Sequence, residues 1–169
     1  MNTHSNSSID IEAYDLFFQK FRKNKLPFTQ HYEAWIKESG SGSKEDYIRY
    51  CFKEAHDYII RNASTELEFQ QWSLELHTKR WQFERELNSD QANLYLKLSL
   101  IGKVMIAKYE HPSTQFLIYI NSIDCCKSCS KQHGKQVQLE RVLKFQYLPY
   151  KSCKREDYCH CTYDLVPIT

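Results

Sequence analysis

Six of the seven cysteines in this 169-residue chain lie between Cys125 and Cys161, and Cys51 alone precedes them. The first residues, Met1 to Ser8, are polar and lack the apolar core of a secretion signal, so a reducing cytosolic setting is expected. In that setting a cysteine cluster holds a metal ion more often than it forms disulfides. The odd number of cysteines would also leave one thiol over from a fully paired set.

The spacing of these cysteines predicts a zinc site. Two residues separate Cys126 from Cys129, and such a knuckle delivers two thiolates from one tight turn. Tetrahedral zinc needs four ligands, so a second pair must come from farther along the chain. The predicted ligand set contains the knuckle and the last three cysteines, namely Cys126, Cys129, Cys153, Cys159 and Cys161. Zinc bound in this way contributes on the order of 10 kcal/mol to the folding of a small domain.

Other interpretations of the cluster are open at this point. His133 and His160 are reserve zinc ligands. The alternatives to a metal site are one or two disulfides between the Cys-x-x-Cys and the Cys-x-Cys pairs, or free buried thiols. Adjacent cysteines rarely ligate one metal together, so Cys125, next to Cys126, is interpreted as a packed or spare residue.

A catalytic metal would need an open coordination position and a base. His133 and Glu140 are the candidates near the knuckle, but a lone histidine there is more typical of a surface turn. A redox Cys-x-x-Cys would need a strand-to-helix setting in a βαβ unit, whereas predicted helices precede this motif. Enzymatic activity is therefore left open and is not favoured.

The residues before the cluster, 1–112, are predicted to form a helical region. The chain has only four glycines and four prolines, which favours long helices over a turn-rich fold. Predicted helices run from Asp10 to about Arg22, from Thr29 to Glu38, and onward from an N-cap at Ser43. Thr65–Glu68 fits a capping box, and Asn88–Asp90 fits a break or a new cap. Two long helices are predicted next, and together they indicate an αα-hairpin or one bent rod. Their apolar stripes contain Phe69, Trp72, Leu76, Phe83, Leu87, Leu94, Leu98, Ile101 and Met105.

The remaining residues, 113–169, change to a β-rich pattern around the cysteines. Phe116–Ile120 is rich in β-branched and aromatic residues and predicts a strand. A second strand is predicted over Gln136–Leu139, after a turn at Gly134, and a closing strand over Cys161–Val166. The fold class predicted is α+β, with long N-terminal helices followed by a small β-rich zinc-knuckle subdomain.

The charge of the chain gives weak support for a nucleic-acid partner. The net charge is +2, from −1 up to Glu110 and +3 after it. Tyrosines and basic residues are interleaved near the C-terminus: Tyr147, Tyr150, Tyr158, Tyr163, Lys144, Lys151, Lys154 and Arg155. Such mixing can form a stacking platform for single-stranded nucleic acid. The favoured interpretation is that the tyrosines cover a metal site. No stretch reaches the ~18 apolar residues of a membrane span, so no membrane partner is expected.

The order of motifs after Phe116 resembles the C-terminal segment of phage head morphogenesis proteins, the minor head proteins related to that of phage Mu. The matching residues are Asp-Cys-Cys-Lys-Ser-Cys at 124–129, His-Gly-Lys at 133–135, Leu-Pro at 148–149, Cys-His-Cys at 159–161 and Leu-Val-Pro-Ile at 165–168. By this resemblance, Cys126 and Cys129 match the first pair of the family, and Cys159 and Cys161 match the closing pair. The family has His-Pro before its closing pair, where this chain has 155–158, Arg-Glu-Asp-Tyr. Cys153 is the candidate for the missing ligand.

The resemblance implies a minor capsid or portal-associated protein, with the portal or capsid as its partner. We therefore expect a zinc-stabilised structural or interaction protein that binds a partner or self-associates through its helices, in the cytoplasm or in a virion. The alternative is a nucleic-acid-acting zinc protein, such as a nuclease, defence or toxin component. His133, His160 and Asn121 do not follow the order of an HNH nuclease. A DNA-binding regulator, whose affinity would fall steeply with salt, is a third hypothesis.

Overall fold

The structure is a computed structural model that describes residues 11–22, 27–122, 125–145, 147–148, 153 and 159–168. The chain divides into two compact units, one ending at Asn62 and the other beginning at Ala63. The predicted change of pattern at residues 112 and 113 lies between the last long helix and the first strand. The compact units divide earlier because the helices after Ala63 pack with each other and with the sheet.

The first unit is helical. Helix α1 spans Ile11–Phe18 and continues into a short 3-10 helix at Gln19–Phe21, α2 spans Phe28–Ser39, and α3 spans Lys44–Asn62. Ser43 caps α3 as predicted, because its Oγ accepts from the Asp46 backbone N–H at 3.1 Å. The Asp46 carboxylate accepts in return from the Ser43 backbone N–H at 3.1 Å, and this bond lowers the pKa of Asp46.

Aromatic side chains form the core of the first unit. Phe18 and Phe52 are buried and meet edge to face, with ring centroids 4.9 Å apart. The connection between α2 and α3 is also closely packed, because a Cβ added to Gly42 would clash with the Trp35 ring. The Gly/Ser segment is therefore shaped by a side chain that lies directly against it.

The second unit begins with the predicted αα-hairpin. Helix α4 spans Glu66–Glu84 and α5 spans Ser89–Glu110. Gln71, near the start of α4, donates to Glu110 at the end of α5, which shows that the two helices run antiparallel. Both predicted caps are present: Thr65 Oγ1 accepts from the Glu68 backbone N–H at 3.1 Å, and Asn88 Oδ1 accepts from the backbone N–H groups of residues 90 and 91.

A three-stranded antiparallel sheet follows the hairpin, in the order β2-β1-β3. The strands are β1 at Gln115–Asn121, β2 at Gln136–Gln138 and β3 at Thr162–Ile168. In the register of the sheet, Ile118 lies between Val137 of β2 and Leu165 of β3. These strands agree with the predicted ones, and the long helices followed by a small sheet confirm the α+β fold class.

Two short helices complete the second unit, α6 at Lys127–Ser130 and α7 at Leu139–Phe145. One apolar core, which includes three of the cysteines, is formed mainly by side chains of β1, β3, α5 and α7. Its buried residues are Leu96, Leu100, Val104, Ile118, Ile120, Cys129, Leu139, Val142, Leu148, Cys159, Cys161 and Tyr163. Among the described helices, none combines the length and the apolar character needed to cross a membrane.

Candidate metal centre

The Cys-x-x-Cys motif sits at the start of α6. Cys126 precedes the helix with an extended backbone, and Cys129 lies within it, fully buried. The turn is fixed by its own backbone, since Ser130 N donates to Cys126 O at 2.9 Å and Gln132 N donates to Cys129 O at 2.8 Å. This geometry presents two sulfurs from one knuckle, as zinc-binding turns do.

The Cys-x-Cys motif leads into β3. Cys159 and Cys161 are buried, 1% and 0% exposed. The backbone N–H of Cys159 donates to Oδ1 of Asn93 on α5 at 3.2 Å. Just beyond, Lys103 Nζ of α5 donates to the carbonyl of Tyr163 at 2.9 Å. Helix α5 therefore contacts the chain at the first cysteine of the pair and again two residues after the second.

The sulfurs of all five predicted ligands come together. Among the described residues, they form two groups of three in which every ligand atom lies within 4.8 Å of the others: Cys126, Cys129 and Cys153 in one, and Cys129, Cys159 and Cys161 in the other. Sulfurs around one tetrahedral zinc ion are about 3.8 Å apart, given Zn–S bonds of about 2.3 Å. Each group could hold a metal ion after small side-chain movements.

Cys125, predicted to be a packed or spare residue, also contacts the cluster. Its sulfur lies 3.1 Å from the sulfur of Cys161, well beyond the S–S bond of about 2.05 Å. None of the seven cysteines, all of which are among the described residues, forms a disulfide. We call the six sulfurs of Cys125, Cys126, Cys129, Cys153, Cys159 and Cys161 the cysteine cluster.

The thiols of the cluster strongly perturb one another. A hydrogen bond from the Cys161 thiol lowers the pKa of Cys159 to about 6. The same bond, together with burial, raises the pKa of Cys161. Burial also raises the pKa of Cys129. Deprotonation is thus favoured at Cys159 over Cys129 and Cys161, and zinc binding would require the other ligand thiols to lose their protons as well.

The two reserve histidines lie outside both groups of sulfurs. His133 is exposed, its Nδ1 accepts from the backbone N–H of Ser122 at 3.1 Å, and its Nε2 is 3.4 Å from the hydroxyl of Tyr119. These contacts tie the turn between α6 and β2 to strand β1. His160 is exposed between two buried cysteines, and Glu140 is exposed on α7.

Tyr163, one of the tyrosines of the predicted stacking platform, lies in the core. It is fully buried, its hydroxyl accepts from the backbone N–H of Leu148 at 2.8 Å, and burial raises its pKa. It is therefore a core residue and not part of a stacking platform. Of the other residues in that predicted platform, Tyr147 is half-buried and Lys144 is exposed. The other five lie outside the described residues: Tyr150, Lys151, Lys154, Arg155 and Tyr158.

The residues that sequence reasoning missed are those whose role depends on distant partners. Asn93 and Lys103 support the cysteine cluster from α5, and nothing in their local pattern distinguishes them from other polar helix residues. Cys125 did carry a signal, since it lies beside Cys126.

Comparison of the chain with protein-family models, with curated proteins and with solved structures found no match. The chemistry of the cysteine cluster is therefore the basis for a functional proposal.

Proposed function

We propose that this chain is a structural and interaction protein whose second unit is held together by zinc. The observation that carries the proposal is the gathering of the five predicted ligands, Cys126, Cys129, Cys153, Cys159 and Cys161, into two groups that share Cys129. They come from three separate segments of the chain, so one bound ion would join the knuckle, the loop that holds Cys153 and the start of β3.

The donor set favours zinc in a structural role. Thiolates are soft ligands that select zinc, copper(I) or iron–sulfur clusters, whereas magnesium and calcium prefer oxygen. Structural zinc sites are closed by four protein ligands, and this cluster offers more sulfurs than one ion needs. Cys129, Cys159 and Cys161 are also part of the apolar core, where a bound ion would add a cross-link to packed side chains.

The interaction part of the proposal concerns the helices. Leu87, in the connection between α4 and α5, and Leu94, near the start of α5, are 42% and 44% exposed. Exposed leucines of this kind are common on soluble domains, and they also supply contacts to partners. The proposed partner is a portal or capsid subunit of a phage or a second copy of the chain, and the phage setting rests on the sequence resemblance alone.

The zinc content of the purified full-length chain tests the structural role. We expect bound zinc in the wild-type protein and its loss in Cys129→Ser, because Cys129 belongs to both groups of sulfurs. Cys51→Ser is the matched control, since Cys51 is a buried cysteine of the first unit, outside the cluster. A wild-type protein that folds without bound metal would contradict the proposal.

Sedimentation of the chain, alone and after co-expression with portal and capsid proteins, tests the interaction role. We expect an assembly that Leu94→Glu weakens, because a carboxylate at an apolar contact loses its hydration on association. A monomer that joins none of these proteins would contradict the interaction role and leave the zinc role intact.

A further inference from the structure

The cysteine cluster holds more sulfurs than one zinc ion can use. A tetrahedral zinc ion takes four thiolates, whereas six cysteine sulfurs lie in contact here. A single ion would leave two reduced thiols against the site. The arrangement of the six sulfurs indicates where a second ion would bind.

Cys129 is the common member of the two groups of three sulfurs. Cys159 belongs to the second group, and its thiol also hydrogen-bonds with that of Cys153 in the first group. Two sulfurs that each face both groups are what a pair of metal ions with bridging thiolates requires. The shared edge of the two tetrahedra would therefore run from Cys129 to Cys159.

The remaining four sulfurs separate into two pairs around this edge. Cys126 and Cys153 belong to the first group. On the other side, Cys161 belongs to the second group and Cys125 lies 3.1 Å from it. With the two shared sulfurs, each pair supplies four potential ligands, as many as each of two tetrahedral ions needs.

This division also accounts for the adjacent cysteines. Neighbouring residues in an extended backbone direct their side chains to opposite sides, and the backbone at Cys126 is extended. The sulfur of Cys126 lies with Cys129 and Cys153, while that of Cys125 lies against Cys161. The two neighbours thus serve different groups, so they need not share one ion.

We propose that the cysteine cluster binds two zinc ions, bridged by Cys129 and Cys159. Cys126 and Cys153 are terminal ligands of one ion, and Cys125 and Cys161 are terminal ligands of the other. Each thiol releases its proton on binding, and the bridged pair of ions with six thiolates has the same formal charge as one ion with four. This inference rests on the proposed zinc-stabilised function and adds the number of ions and the role of Cys125.

Native mass spectrometry of the full chain, reconstituted with zinc under reducing conditions, counts the ions directly. We expect two per chain in the wild-type protein and in the Cys51→Ser control. In Cys125→Ala we expect a chain that retains one zinc ion and loses the other, because one ion has lost a terminal ligand. One ion in the wild-type protein would overturn the two-ion cluster while the proposed function stands, and no ion would overturn both.

Cadmium-113 NMR of the cadmium-substituted chain gives a readout that does not depend on any variant. Two resonances with scalar coupling between them are expected, since bridging sulfurs transmit coupling from one metal to the other. A single resonance, or two resonances without coupling, would overturn the bridged arrangement. Retention of two tightly held ions by Cys125→Ala would overturn the assignment of Cys125 as a ligand.

Discussion

The two units use cysteine and charge in different ways. In the first unit, Cys51 is a single buried thiol that accepts from Arg22 at 3.0 Å, and burial raises its pKa. Arg22 is ion-paired with Asp15 and also donates to the Tyr47 hydroxyl at 3.1 Å. In the second unit, six cysteines contact one another. Cysteine is thus a single core residue in the first unit and part of a group of thiols that could hold a metal ion in the second.

The difference shows where each unit obtains its stability. Aromatic packing and the polar network around Arg22 stabilise the first unit. The small sheet of the second unit has a seven-residue central strand and a three-residue partner, β2, so we expect its folding to depend on metal.

Removal of metal should produce the largest difference in stability between the two units. A strong chelator at neutral pH is expected to remove on the order of 10 kcal/mol from the second unit and to leave the first unit folded. Hydrogen exchange read by mass spectrometry checks this, with exchange accelerated in β1 and β3 and unchanged in α3. Added zinc should restore protection, and equal acceleration in both units would break the comparison.

The reverse experiment removes packing from the first unit. Phe52→Ala deletes a fully buried ring that meets Phe18 edge to face, and the cavity should cost about 4 kcal/mol of unfolding free energy. Denaturant unfolding followed by exchange in α3 measures the loss. Zinc content should remain that of the wild-type protein, and a variant that also loses its metal would show that the units do not fold independently.

The buried ion pair of the first unit should respond to loss of one partner. Asp15→Ala leaves the Arg22 guanidinium buried without its carboxylate and is expected to cost about 3 kcal/mol. Asp57→Ala, which removes the exposed partner of Arg61, is the matched control and should change stability by less than about 0.5 kcal/mol. Similar effects of the two substitutions in urea unfolding would show that the buried pair contributes no more than a surface pair.

The smallest effect is expected at a helix cap of the second unit. Thr65→Ala removes the hydroxyl that accepts from the Glu68 backbone N–H and should cost about 1 kcal/mol. The exposed Thr114, in the turn before β1, provides the control Thr114→Ala. Thermal unfolding of the zinc-loaded forms should separate the two variants, and indistinguishable curves would mean that the cap contributes little once metal is bound.

Local patterns predicted the features of this chain that depend on neighbouring residues. The caps at Ser43, Thr65 and Asn88 are confirmed, as is the strand around Ile118, because capping and alternation act within a few residues. Four of the five candidate ligands were predicted from two short spacings, the Cys-x-x-Cys and the Cys-x-Cys motifs, and the structure brings the sulfurs of all five close together.

Features that depend on distant contacts could not be predicted in this way. Helix α7 begins at Leu139, where a strand was expected to continue, because packing of Leu139 and Val142 in the core favours a helix there. The contact between Cys125 and Cys161 and the network around Arg22 join residues far apart in the chain. No local periodicity or motif predicts contacts between residues so far apart in sequence.

The bonds from α5 to Cys159 and Tyr163 have a consequence for regulation. Under the proposed zinc binding, these two bonds would connect helix α5 to the metal site. A protein that docks on α5 and prefers the zinc-loaded form would then tighten zinc binding by the same factor by which zinc tightens its docking.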